Sequence, residues 1–142
     1  MKNILIINGP NLNMTGIREP GIYGSKTLTD INNMIKEKAE ELNVSVEFFQ
    51  SNSEGEIIDK IHSAHNTKDG IIINPGAYSH YSLAIADAIR AVNVKTFEVH
   101  ISNVFARESM RMEMVTANAA AAVISGAGAY SYILALEGIL NV

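Results

Sequence analysis

Strand-like and helix-like segments alternate along nearly the whole chain, and this alternation limits the fold more than any other feature. Short runs of β character occur at Asn3–Ile7, Val44–Gln50, Gly70–Asn74, Thr96–Ile101 and Ala121–Ser125. Three of them are almost entirely apolar, as strands covered on both faces of a parallel sheet should be. Between the runs, apolar residues recur at helical spacing. Leu28, Ile31, Met34, Ile35, Ala39 and Leu42 form one such stripe. Thr27 with Asp30 reads as a capping box at its start, and Ser53 with Glu56 repeats that signal before Ile57, Ile58, Ile61 and Ala64. Leu83, Ala84, Ala88, Ile89 and Val92 mark a third helix. Tyr130, Ile133, Leu134, Glu137 and Leu140 mark a fourth, after the glycine-rich turn Gly126–Gly128. Residues 103–118 read as a polar loop with room for a short helix.

Five strands alternating with helices predict an α/β doubly wound parallel sheet with right-handed crossovers. The flavodoxin-like order 2-1-3-4-5 fits best: a three-layer sandwich with helices on both faces and a crevice between the ends of strands 1 and 3. The 142 residues suffice for one domain, 1–142, with a real core. At 47% hydrophobic and 18% charged, the composition is that of an ordinary globular protein. The net charge of −4 gives no reason to expect nucleic acid or an anionic membrane as partner. With no cysteine, disulfides and thiolate metal sites are excluded. The opening MKNILIIN is shorter in apolar content than a signal peptide, and no run approaches the ~20 apolar residues of a membrane span, so a cytoplasmic protein is expected.

In a parallel sheet, three polar loops emerge at one edge. The first, residues 8–24, reads NGPNLNMTGIREPGIYG and is long for a compact domain, which usually means function. The second follows strand 3 as Asn74-Pro75-Gly76-Ala77-Tyr78-Ser79-His80. The third follows strand 4 as Glu98-Val99-His100-Ile101-Ser102-Asn103. Ligands of open α/β sheets bind at this edge.

Within these loops, some residue pairs suggest chemistry. Glu98 and His100 stand two apart on a strand, so they share a face. A carboxylate beside an imidazole sets its tautomer and favours the protonated ring, which suits a general acid. An exposed pair at a strand end would be inert, but burial would make a lone Glu98 costly. Tyr23 is a weak base by itself, since phenols titrate near ~10. A nearby guanidinium would stabilise the phenolate, and Arg18, five residues earlier, is within reach. Packing against the Pro20-Gly21 turn is the bland alternative for Tyr23. His80, at the entrance to the third helix, suits either a ligand hydroxyl or a cap. His62, His65 and Asp59 fit an exposed helical face better than a metal site. Gly126-Ala127-Gly128 lacks the third glycine of a dinucleotide fingerprint, and there is no Walker-type loop.

Together, NGPNLN, GIREPGIYG, INPGAYSHYS and EVHISN resemble the type II 3-dehydroquinate dehydratases, in that family's order and spacing, from residue 4 to the C-terminus. The resemblance implies removal of water from 3-dehydroquinate through an enolate, in the shikimate pathway of aromatic amino acid biosynthesis, with no metal, cofactor or Schiff base. It implies Tyr23 as the base and Arg18 as its activating cation on a closing lid. Asn11 would hold the water at the enolate oxygen. His100, oriented by Glu98, would protonate the departing hydroxyl with Asn74 nearby. Substrate contacts would come from Gly76 in the second loop, from the backbone amides of Ile101 and Ser102 on the carboxylate, and from His80 and Arg111 on ring hydroxyls. The family's assembly, a dodecamer built of trimers, would bring Asp87 to a neighbouring subunit's site. Phe105 departs from the family, which often carries histidine there, and the stretch after Arg111 is less polar than in relatives, while Arg107 and Arg111 remain. A non-catalytic metabolite-binding domain of the same fold is the alternative. A signalling receiver would want acidic residues after strand 1, where this chain has asparagines.

Overall fold

A computed structural model describes residues 1–17 and 19–142, with Pro20 described by its backbone alone. Its elements in chain order are β1 (Asn3–Asn8), α1 (Pro20–Tyr23), α2 (Leu28–Leu42), β2 (Ser45–Gln50), α3 (Glu54–Ser63), β3 (Gly70–Asn74), α4 (Leu83–Val92), β4 (Thr96–His100), β5 (Ala122–Ser125) and α5 (Tyr130–Asn141). Short 3-10 turns occupy Leu12–Met14, Gly76–His80 and three places between Val104 and Ala119. The strands form one parallel sheet in the order β2-β1-β3-β4-β5, as the alternation predicts.

Burial follows that order. The central strands β1, β3 and β4 are buried almost throughout, whereas the edge strands β2 and β5 are half-exposed. Successive side chains alternate between two cores. Ile4 and Ile6 of β1 pack with Ile31, Ile35 and Ala39 of α2 and with Ile133, Leu136 and Ile139 of α5. Leu5 and Ile7 point the other way, onto Ile57 and Ile61 of α3 and Ile85 and Ile89 of α4. Helices therefore cover both faces, two to a side.

The caps fix where the helices begin. Thr27 and Asp30 form the full capping box at α2, and Asn43 closes that helix in the left-handed region. Ser53 caps α3 through the Glu56 amide, but the Glu56 carboxylate turns instead to the Ser51 hydroxyl at 2.6 Å. Ser82 caps α4 and also donates to Glu54 at 2.5 Å, tying the two helices of that face together. Among the described residues, no helix is long and apolar enough to cross a membrane.

Candidate active site

The order reverses between β1 and β3, so the loops leaving these adjacent strands diverge and open a crevice. The Gly9 amide donates to the Asn74 carbonyl at 2.8 Å and holds the two strand ends together. Asn11 follows in the left-handed region, its amide donating to Asn52 Oδ1 at 3.0 Å. Gln50 braces the same loop from β2, donating to the Gly9 carbonyl at 3.1 Å. The loop is not structureless. A 3-10 turn and the single-turn α1 carry the chain to Tyr23, whose side chain enters the crevice.

A guanidinium does meet the Tyr23 hydroxyl. Among the described residues it is Arg107, from the segment after β4, whose Nη1 donates at 2.6 Å while its guanidinium carbon lies 5.1 Å from the ring centre. Arg18, expected there from its nearness in sequence, lies outside the described residues. The Arg107 contact joins the first loop to the third, and both residues line the crevice.

Glu98 and His100 share a face, as their spacing predicts, and both are buried. His100 Nε2 meets Glu98 Oε2 at 2.7 Å, which leaves Nδ1 as the ring nitrogen not engaged by the carboxylate. Thr116, itself fully buried, donates its hydroxyl to the second Glu98 oxygen. The carboxylate is thereby held from both sides. His80 ends the 3-10 turn after β3, with Nδ1 2.7 Å from the Glu113 carbonyl and its ring stacked on His100 at 6.3 Å between centres. Burial is the main cause holding the His80 imidazole below its ordinary pKa, against a smaller opposing pull from the Glu113 carbonyl.

The third loop is pinned from β5. Ser125 donates to the Ser102 carbonyl at 2.9 Å and accepts from the Val104 amide at 3.2 Å, and the Gly128 amide donates to the Ile101 carbonyl at 3.0 Å. Arg111 also faces the crevice, steadied by Glu108 at 2.7 Å.

One crevice thus gathers Tyr23, His100, Asn11, Asn74, Gly76, His80, Ile101, Ser102 and Arg111, with Glu98 directly behind His100. Asp87 is not brought there: it sits on α4, mostly exposed, 3.7 Å from Arg90. Phe105 is exposed. The contacts of Arg107 with Tyr23 and of Thr116 with Glu98 have no local sequence signal, since both are set by how distant loops dock. Two guanidinium groups and two imidazoles around an open, hydrogen-bonded crevice suit a small anionic ligand and proton transfer at two separate points. Among the described residues, no group of three histidine or acidic side chains is placed to hold a metal ion.

Comparison with known proteins agrees with this architecture. Residues 2–140 match the family model for dehydroquinase class II. The 3-dehydroquinate dehydratase of Caldicellulosiruptor bescii is 59% identical, covering 100% of this chain and 99% of the relative. That of Caldanaerobacter subterraneus subsp. tengcongensis is 58% identical over 98% and 94%. The crystal structure of type II dehydroquinase from Butyrivibrio crossotus superposes with a TM-score of 0.97 at 49% identity, over 99% and 98% of the two chains. That from Propionibacterium acnes gives 0.94 at 42% identity, over 98% and 96%. A match of this extent in sequence and backbone alike means that the chain belongs to the class II dehydroquinase family.

Proposed function

We propose that the protein is a hydro-lyase that converts 3-dehydroquinate to 3-dehydroshikimate in the shikimate pathway, with residues 1–142 acting as one catalytic domain. The observation behind this reading is that one crevice contains a phenol in contact with a guanidinium and an imidazole in contact with a carboxylate. An elimination of water needs a base at one carbon and an acid at the oxygen of the next.

Tyr23, as phenolate, takes the proton beside the ketone. The C–H electron pair moves onto the carbonyl oxygen and gives an enolate. Such a proton is far less acidic than a phenol, so the oxyanion must be stabilised where it forms. Asn11 does this through a held water. Arg107, and Arg18 with it, stabilises negative charge on the Tyr23 oxygen. The enolate then collapses, the bond to the neighbouring hydroxyl breaks, and His100 supplies the proton that makes water. Glu98 fixes the ring and offsets its charge, which pushes acid and base apart in function. The Ile101 and Ser102 amides hold the substrate carboxylate, His80 and Arg111 hold ring hydroxyls, and Asn74 and Gly76 line the floor. The chain assembles as a dodecamer built of trimers, in which Asp87, exposed and outside its own crevice, reaches a neighbouring subunit.

The test is direct. Purified protein with 3-dehydroquinate should produce the ultraviolet absorbance of a conjugated enone. Tyr23→Phe should keep ligand binding and lose turnover by several orders of magnitude, within the range a general base supplies, about 10²–10⁴-fold. Borohydride added with substrate should trap no adduct, since no imine forms. Absence of enone with retained ligand binding would favour a binding domain instead. Sedimentation should give a particle of twelve 15.4 kDa chains.

A further inference from the structure

A buried hydrogen-bond chain runs from α5 to Asn74 in the crevice, through a tyrosine to which the proposed elimination assigns no part. Tyr132, in the first turn of α5, is fully buried. Its hydroxyl stands between two asparagines: it donates to Asn8 Oδ1 at 2.5 Å and accepts from Asn74 Nδ2 at 2.9 Å. Asn8 and Asn74 are register partners at the ends of β1 and β3, where the crevice opens. Asn74 Oδ1 in turn accepts from the Gly76 backbone amide at 3.1 Å.

The direction of this chain is dictated from one end. A backbone N–H can only donate, so the Asn74 atom facing Gly76 is the carbonyl oxygen. The amide nitrogen then faces Tyr132, and the phenol oxygen accepts there. Its single hydrogen is left for Asn8, whose facing atom is therefore an oxygen. One backbone amide sets the polarity of three side chains. Burial pushes the Tyr132 phenol far above its ordinary pKa, so the hydrogen stays on the oxygen.

We infer that Tyr132 is a positioning residue: it locks the Asn74 amide so that the crevice receives the second N–H of Nδ2, a donor, for a carboxylate or hydroxyl oxygen of the substrate. The inference rests on the function proposed above for its substrate. Without the phenol oxygen, the Asn74 amide keeps its facing from the Gly76 amide but its Nδ2 end loses its anchor, so the donor offered to the crevice is held less tightly.

The experiment is a double-mutant cycle of Tyr132→Phe and Asn74→Ala. Each protein is assayed for turnover of 3-dehydroquinate and for binding of quinate, a ring carboxylate with no ketone to activate. Tyr132→Phe should raise both KM and the quinate Kd by about 3- to 10-fold, the worth of one hydrogen bond. Turnover at saturation should change little, because the contact exists before and during the reaction. In the Asn74→Ala background, Tyr132→Phe should add no further change. A purely structural tyrosine would shift both backgrounds alike. If Tyr132→Phe does not fold, Asn8→Ala reads the same chain from its other end, where an equal rise in KM supports the lock and no rise overturns it. A folded Tyr132→Phe protein with unchanged KM and Kd also overturns it, as does a shift that persists undiminished without Asn74. Should the parent protein bind quinate but fail to turn over 3-dehydroquinate, the reaction proposed above fails while the quinate arm still decides the role of Tyr132.

Discussion

Arg107 Nη1 donates to the Tyr23 hydroxyl at 2.6 Å, across 84 residues of sequence. The contact joins the end of α1 to the turn that follows β4, two segments with no local reason to meet. A charge-assisted bond of this kind stabilises negative charge on the phenol oxygen, which the proposed base must carry. Arg107→Leu is expected to lower kcat/KM for 3-dehydroquinate by about 10²–10³-fold, as loss of a donor to a developing oxyanion does. Arg107→Lys keeps the charge without the planar fork and should recover only part of the loss. Progress curves of enone absorbance measure both, and parental turnover in Arg107→Leu would remove this guanidinium from the mechanism.

Thr116 makes a second long-range contact, donating to a carboxylate that has no access to water. Glu98 and Thr116 are both fully buried. Thr116→Val keeps the shape and removes the donor, leaving Glu98 Oε1 buried without that partner, at a cost of about 1–3 kcal/mol in unfolding free energy. Because the same carboxylate orients His100, turnover should fall with stability. Thr116→Ser should restore most of both. Denaturant unfolding and the enone assay decide this together; a Thr116→Val protein as stable and active as the parent would show that Glu98 needs no support from that side.

These contacts mark where sequence stops being legible. The helix predicted over Leu28–Leu42 is α2 residue for residue, because its stripe, its capping box and its left-handed Asn43 all act locally. At α3 the serine cap holds, yet the Glu56 carboxylate is drawn to Ser51, which a spacing rule does not weigh. In the first loop, the turn Leu12–Met14 and the four residues of α1 are too short to leave a period. The placement of Asn74 and His100 beside one crevice was readable, since topology alone brings those strand ends together. The Arg107 contact with Tyr23 was not, because tertiary docking sets it and it leaves no local spacing signal, while Arg18 lies outside the described residues. Tyr132 falls outside the apolar stripe that marks the last helix in sequence, and its contacts are with two asparagines that lie 124 and 58 residues away.

His80 gives the protein a pH dependence of predictable sign. Burial, aided by like charge from His100 and Arg111, holds its folded-state pKa below the ordinary 6.5. The unfolded chain therefore takes up this proton first as pH falls. The associated stability is complete above about pH 6.5 and declines below it. Urea unfolding between pH 7.5 and about 5.5 should show a steeper acid-side loss in the parent than in His80→Gln. Parallel profiles would mean that His80 contributes nothing to the acid sensitivity of the fold.

Gly9 tests how closely the crevice walls must approach. A Cβ placed there would lie 2.6 Å from the Pro75 carbonyl oxygen and 2.8 Å from its carbon, and both are backbone atoms with no rotamer to yield. Gly9→Ala must therefore part the loops that follow β1 and β3. Asn11 would move away from Asn74 and Gly76, and a shift of about 1 Å at a reacting centre can cost about 10²-fold in rate. Overpacking of this kind typically costs about 1–3 kcal/mol in stability. Gly55→Ala is the matched control: it lies in α3 with ordinary φ, its nearest neighbour is Ser53 Oγ at 3.9 Å, and it should stabilise by about 0.4–1 kcal/mol without touching turnover. Thermal unfolding and the enone assay on the two variants should diverge in opposite directions. If Gly9→Ala keeps parental kcat/KM, the spacing of the first two loops is not what sets the geometry of the proposed elimination.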